Sequence, residues 1–227
     1  MKKKPKVIFF DAVGTLIGVK EGVGKTYANI AEKHGVEVAP DVLEQAFRAA
    51  FKESRAPIFP GVDSFQIPEK EFQWWEAIAN KTFTEAGVID QFEDFPGFFT
   101  QLYAHFATPD PWFVFPDVLS SIQTWHSQGI ELGLISNFDS RLYAIIELLD
   151  LKQYLTSITI SSIVGAAKPD RTIFLSALDK HNCQASQTWH IGDSKIEDYD
   201  GASRIGMTAF LLQRSPEERF PYSRQEA

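Results

Sequence analysis

Asp11 closes the apolar run VIFF, Ser136 follows ELGLI, Asp193 follows WHIG, and Lys168 stands in GAAKPD, the loop after SITI. An aspartate at the end of an apolar run is often only a turn residue or a helix cap, so Asp11 alone carries little. The set carries more. If the runs are parallel strands of one sheet, ligands gather at their carboxyl ends, and carboxylate, hydroxyl, amine and carboxylate converge on one edge. Two carboxylates brought together without a counter-charge repel each other, and a hard divalent cation with oxygen ligands, magnesium first, resolves the conflict. A phosphoryl group would complete the shell of such a cation. GDSKIED adds Glu197 and Asp198 close behind Asp193, although a run of acids is by itself usually a solvated face. Behind Asp11, Gly14 permits a tight turn, and Thr15 brings a hydroxyl and a backbone N–H.

The elements that must position these groups are legible. Four consecutive apolar residues at Val7 suit a strand buried on both faces, as in a parallel sheet flanked by helices. Further strands are expected at Glu131–Ile135, Ser157–Ile160, Trp189–Ile191 and Thr208–Leu212. Between them, helices are expected from Asp117 as cap to Gly129, over Ser140–Leu149, and from Pro169 to His181. The stretch from Gly18 to Thr108 reads instead as helices and loops, roughly ninety residues and far too long for an ordinary connection. Val23, Tyr27, Ile30, Ala31 and His34 share one helical face. Leu43, Ala46, Phe47, Ala50 and Phe51 share a second, and Phe72, Trp75, Ile78, Ala79 and Phe83 a third, with the Trp74–Trp75 pair taken as packing. A fourth helix is expected over Gly97–Ala107. TPDPW, residues 108–112, looks like a hinge. The expectation is an α/β fold: a Rossmann-like parallel-sheet core with helices on both faces, formed by residues 1–17 and 109–227, with an inserted α-helical cap domain over 18–108. GVKEGVGKT nearly spells a phosphate-binding loop, but Val19 replaces its first glycine and no strand is expected immediately before it.

Composition narrows the function. The 227 residues carry a formal charge of -8, which argues against nucleic acid or an anionic membrane as partner. The basic cluster Lys2, Lys3, Lys4 and Lys6 precedes an apolar run too short for a signal peptide or a membrane span, so a cytoplasmic protein is expected. Cys183 is the single cysteine, which excludes internal disulfides and a cysteine-based zinc cluster; a structural role is expected for it. The charged tail from Arg214 onward contributes little signal.

FFDAVGTL, ISNFD, AAKPD and HIGDSKIEDYDGA resemble, in order and on the expected elements, the four motifs of the haloacid dehalogenase-like hydrolase superfamily. The helical insertion resembles the C1 cap of its subfamily I, and the likeness extends over nearly the whole chain, including FQWW and SNFDSRL. The resemblance implies that Asp11 is a nucleophile forming an aspartyl-phosphate and that Ser136 and Lys168 bind the transferring oxygens. Gly14, Thr15 and Asn137 are the adjoining substrate-binding candidates. It also implies magnesium held by Asp11, Asp193 and the backbone carbonyl of Val13, with Asp198 close behind, and a small phosphorylated molecule as substrate. One departure matters: members usually carry a second aspartate two residues after the nucleophile for general acid–base work, and here Val13 stands there. Loss of that catalysis costs about 10²–10⁴-fold, roughly 3–5 kcal/mol of barrier. The competing readings are a phosphate- and metal-binding regulatory protein without turnover, a 2-haloacid dehalogenase, and a phosphonatase-like enzyme drawing a lysine from Lys20, Lys25 or Lys52. An aromatic residue at position 13 and a less acidic fourth motif would favour the dehalogenase.

Overall fold

The computed structural model of the chain describes residues 4–215. Its core is a five-stranded sheet of β1 (Val7–Phe10), β4 (Glu131–Ser136), β5 (Ser157–Ile160), β6 (Thr188–Gly192) and β7 (Thr208–Leu211), in the order β5-β4-β1-β6-β7. All pairings are parallel, with Val7 opposite Glu131 on one side and Thr188 on the other. β1 is central because its side chains are apolar on both faces. Ile8 and Phe10 join a cluster with α5 (Val118–Ser127) and α6 (Arg141–Leu148). Val7 and Phe9 join another with α8 (Arg171–Asp179) and α9 (Gly201–Arg204) on the opposite face. A single turn, α7 (Ser161–Val164), follows β5. The Rossmann-like α/β core expected from the strand pattern is thus observed.

Between β1 and α5 the chain runs through α1 (Val23–Glu32), α2 (Pro40–Glu53), α3 (Ile67–Glu85) and α4 (Phe95–His105). These helices bury their own apolar cluster, in which Tyr27, Leu43, Ala79, Phe83, Phe98 and Leu102 meet. The helical insertion leaves and rejoins the sheet through an antiparallel ribbon of β2 (Ile17–Val19) and β3 (Trp112–Val114), Ile17 facing Val114. TPDPW is therefore not a free hinge, since Trp112 is already strand. The strand β2 overlaps the start of GVKEGVGKT at Gly18 and Val19, and Lys20–Gly22 is only a short turn into α1 rather than a glycine-rich cradle.

Three further expectations change. Asp117 stands at the start of α5, but its carboxylate pairs with Arg214 at 2.8 Å instead of capping the helix. The helix expected from Pro169 begins at Arg171, because Asp170 accepts the Thr172 N–H as its cap. Of the tail from Arg214 onward, residues 216–227 lie outside the described residues, but Arg214 is buried, donates to the Thr15 carbonyl at 2.7 Å and lies 3.7 Å over the Phe115 ring. Lys4 and Lys6 of the basic cluster donate to the carbonyls of Gln128 and His181; Lys2 and Lys3 lie outside the described residues.

The insertion depends on one close approach. A Cβ added at Gly24 of α1 would lie 2.1 Å from the Pro40 carbonyl and 2.6 Å from the Glu44 amide, backbone atoms of α2 that cannot swing aside. Gly24 also donates its N–H to Glu44 at 2.8 Å. Gly24→Ala is expected to force α1 and α2 apart and destabilise the protein by about 1–3 kcal/mol despite the better helix propensity of alanine. Urea denaturation checks this; a neutral or stabilised variant would show that the two helices do not need to touch here.

Candidate active site

The carboxyl ends of β1, β4 and β6 deliver Asp11, Ser136 and Asp193, and the loop before α8 delivers Lys168. Lys168 is the hub. Its Nζ donates to Asp11 Oδ1 at 2.6 Å and to Asp198 Oδ1 at 2.6 Å, and the lysine is only 3% exposed. Ser136 Oγ reaches the same Asp11 oxygen at 3.4 Å. Burial alone would strip Lys168 of its proton, but Asp11 and Asp198 hold its pKa above the ordinary lysine range, so the ammonium is retained.

The acids divide the labour unevenly. Burial pushes the Asp11 carboxyl up to about 7 against the pull of Lys168, and Asp198 and Asp193 add to the rise. For Asp198 burial is outweighed by Lys168 and His190, which hold it far below the usual carboxylate range. Asp198 Oδ1 accepts from Lys168 and from His190 Nε2 at 2.9 Å, while Oδ2 accepts the Ser194 N–H at 3.0 Å. Burial keeps His190 neutral, so the tautomer with hydrogen on Nε2 is the one that serves this carboxylate.

Asp11, Asp193 and Asp198 each offer an oxygen, all within 4.8 Å of one another, against a single ammonium. An all-oxygen donor set with excess negative charge fits a hard divalent cation. Asp198, both of whose oxygens already accept hydrogen bonds, also anchors Lys168. Gly14 makes the cluster possible: at φ +90° it carries no Cβ, which would lie 2.5 Å from an Asp193 oxygen.

The other candidates occupy supporting places. The Gly14 N–H is spent on the Ile17 carbonyl at 2.8 Å and the Thr15 N–H on the Ala12 carbonyl at 3.3 Å, while the Thr15 hydroxyl is buried without a partner. The amides of Leu16 and Ile17 likewise end on the Ala12 carbonyl rather than that of Val13. Asn137 spends both ends of its amide on Lys168, donating to its carbonyl at 2.9 Å and accepting its N–H at 2.7 Å, so it positions the lysine. Val13 lines a cavity of about 520 Å³ that opens above Asp11, between core and insertion. Lys52 borders that cavity as an exposed side chain, whereas Lys20 lines a separate pocket.

Residues beyond the sequence candidates join the two layers. Two residues after Asn137, Asp139 forms a two-point pair with Arg141 at 2.9 and 2.7 Å and accepts the Trp75 indole N–H at 2.5 Å. Arg141 in turn donates to the Tyr103 carbonyl and lies 3.8 Å over the Tyr103 ring. Glu71, fully buried on α3, accepts both the amide and the hydroxyl of Ser140. The signal was present as an acid interrupting the buried face of an amphipathic helix, but its partner is 69 residues away. Trp75 is therefore both a packing residue and a wall of the cavity, as is Trp74.

A parallel α/β sheet that gathers Asp, Ser, Lys and Asp on one edge beneath a helical insertion defines a haloacid dehalogenase-like hydrolase. A family model of that description matches residues 5–206, and the chain belongs to this family. At finer grain it is similar to haloacid dehalogenase-like hydrolase domain-containing protein 3 of Mus musculus, 34% identical over 210 residues, 92% of this chain and 82% of the mouse protein. Its fold is similar to that of a HAD phosphatase from Thermococcus onnurineus, with a TM-score of 0.60 at 21% identity over 93% of this chain and 87% of that one. It is similar as well to that of L-2-haloacid dehalogenase from Xanthobacter autotrophicus, with a TM-score of 0.66 at 14% identity over 95% and 80%.

Because Glu71 satisfies a buried amide next to the site, Glu71→Ala is expected to cost about 1–3 kcal/mol and to raise amide exchange at Ser140 and Arg141. Hydrogen exchange read residue by residue checks it; unchanged protection there would mean that the insertion is held in place by other contacts.

Proposed function

We propose that this protein is a magnesium-dependent phosphomonoesterase working through an aspartyl-phosphate on Asp11. The observation that carries the reading is the Lys168 ammonium, 2.6 Å from both Asp11 and Asp198, beside a cluster of Asp11, Asp193 and Asp198 oxygens within 4.8 Å of one another. In this reading an Asp11 oxygen attacks phosphorus, the P–O bond to the leaving group breaks, and the leaving oxygen departs with the electron pair. Lys168 and the Ser136 hydroxyl neutralise charge on the transferring oxygens, which is most of what phosphoryl transfer asks of a protein. Magnesium, held by Asp11, Asp193 and the Val13 carbonyl, would supply further charge neutralisation and orient the phosphoryl group. Water then cleaves the acyl phosphate, returning Asp11 and releasing inorganic phosphate. Asp198 and Asn137 hold Lys168 charged and in place throughout.

A haloacid is a poorer match, since it would bring a fourth carboxylate to a site already rich in them. The regulatory alternative, in which phosphate and cation bind without turnover, draws on Val13, whose side chain can neither give a proton to a leaving alkoxide nor take one from water. An aryloxide or acyl leaving group scarcely needs that proton, so phosphorylation of Asp11 survives while hydrolysis is slowed.

Magnesium is expected to raise the melting temperature, because a ligand bound only to the native state stabilises it, and Asp193→Ala to weaken that rise. Calorimetry finding no magnesium binding in the wild type would remove the cation from the reading. In rapid-quench kinetics with an aryl phosphate, the wild type is expected to show a burst followed by slow turnover, and Asp11→Asn neither. Val13→Asp should raise steady-state turnover roughly 10-fold or more, with the larger gain on alkyl esters, as general acid–base catalysis is typically worth about 10²–10⁴-fold. Magnesium binding with neither burst nor turnover would establish the regulatory protein instead.

A further inference from the structure

The cavity above Asp11 has two chemically distinct halves. Its floor holds Asp11, Ser136, Asp193, Glu197 and Asp198, all from the core, whereas its walls are mainly aromatic rings from the insertion and its junction with the core, Phe51, Trp74, Trp75, Tyr103, Trp112 and Phe138 among them. The indole N–H groups of those walls are already used. The indole N–H of Trp74 donates to the Arg55 carbonyl at 2.8 Å, that of Trp75 to Asp139, and that of Trp112 to the Phe106 carbonyl at 3.1 Å. The Arg141 guanidinium is neutralised by Asp139, and Ser54 turns its hydroxyl to the Phe51 carbonyl. Lys52 and Arg55, which border the cavity, are exposed and hydrated.

We infer that the substrate is an aryl phosphomonoester, its phosphoryl group on the floor and a flat apolar ring system between the aromatic walls. A sugar or polyol phosphate would set most of its hydroxyls against ring faces, the Tyr27 and Tyr103 hydroxyls apart, and a buried hydroxyl without a partner is costly. A ring stacks on those faces without that cost, and about 520 Å³ accommodates a fused bicycle. Val13 carries the apolar wall to the edge of the nucleophile, where an aryloxide departs without a proton. The inference rests on the phosphomonoesterase reading and adds the leaving group to it.

Recognition is separated from leaving-group reactivity by phosphonates, which cannot be hydrolysed. With the full chain and magnesium, calorimetry is expected to find 2-naphthylmethylphosphonate binding roughly 10- to 100-fold tighter than ethylphosphonate. Phe51→Ala, at a side chain 42% exposed, should narrow that ratio several-fold. Equal affinities, or tighter binding of glycerol 3-phosphate than of the naphthyl compound, would overturn the inference while leaving the phosphatase reading standing. If no phosphonate binds and no ester is turned over, the phosphatase reading falls and takes the inference with it.

Discussion

The site depends on a buried ammonium, that of Lys168, which is only 3% exposed. Lys168 keeps its charge only because Asp11 and Asp198 lie at hydrogen-bond distance, and Asp198 can be so acidic only because Lys168, His190 and the Ser194 amide all donate to it. A buried pair of this kind is costly to assemble and more costly to leave half made. Much of the surrounding architecture answers that constraint: Asn137 clamps the lysine's backbone, and β6 supplies both His190 and the loop that turns Asp198 inward.

A second constraint is that the cavity belongs to neither layer alone. Its reactive floor is made by strand ends and its walls by helices of the insertion, so the segment just after Ser136 has to serve both. Asp139, Ser140 and Arg141 do this through Trp75, Glu71 and Tyr103. The residues that fix the insertion's position are therefore sequence neighbours of Ser136 and Asn137, which line the floor of the cavity.

The sheet was legible in the sequence because its strands are buried on both faces, so each reads as a short apolar run, and because the reactive residues sit directly at the ends of those runs. The ribbon of β2 and β3 was not, since two three-residue strands nearly a hundred positions apart leave no local pattern. Arg214 escaped for a similar reason: its partners Thr15 and Asp117 are distant, and a lone arginine among charged residues looks solvated. Helical periodicity placed Trp75 on an inward face, but an inward face at the seam between two layers is also the lining of a cavity. Asn137 had the right chemistry to hold a ligand, and only the geometry shows its amide committed to Lys168.

The order in which the chain is made bears on how it folds. β1 is the first strand synthesised, yet it is the central one, and its neighbours β4 and β6 begin at Glu131 and Thr188. On the ribosome the strand carrying Asp11 waits with both edges unpaired while the insertion, built from local helices with a cluster of its own, can already collapse. The Thr15 carbonyl receives its hydrogen bond from Arg214, 199 residues later. The loop that carries Asp11 is thus closed by a residue made 199 positions later, so the cluster of buried charges is completed only when most of the described core exists to surround it.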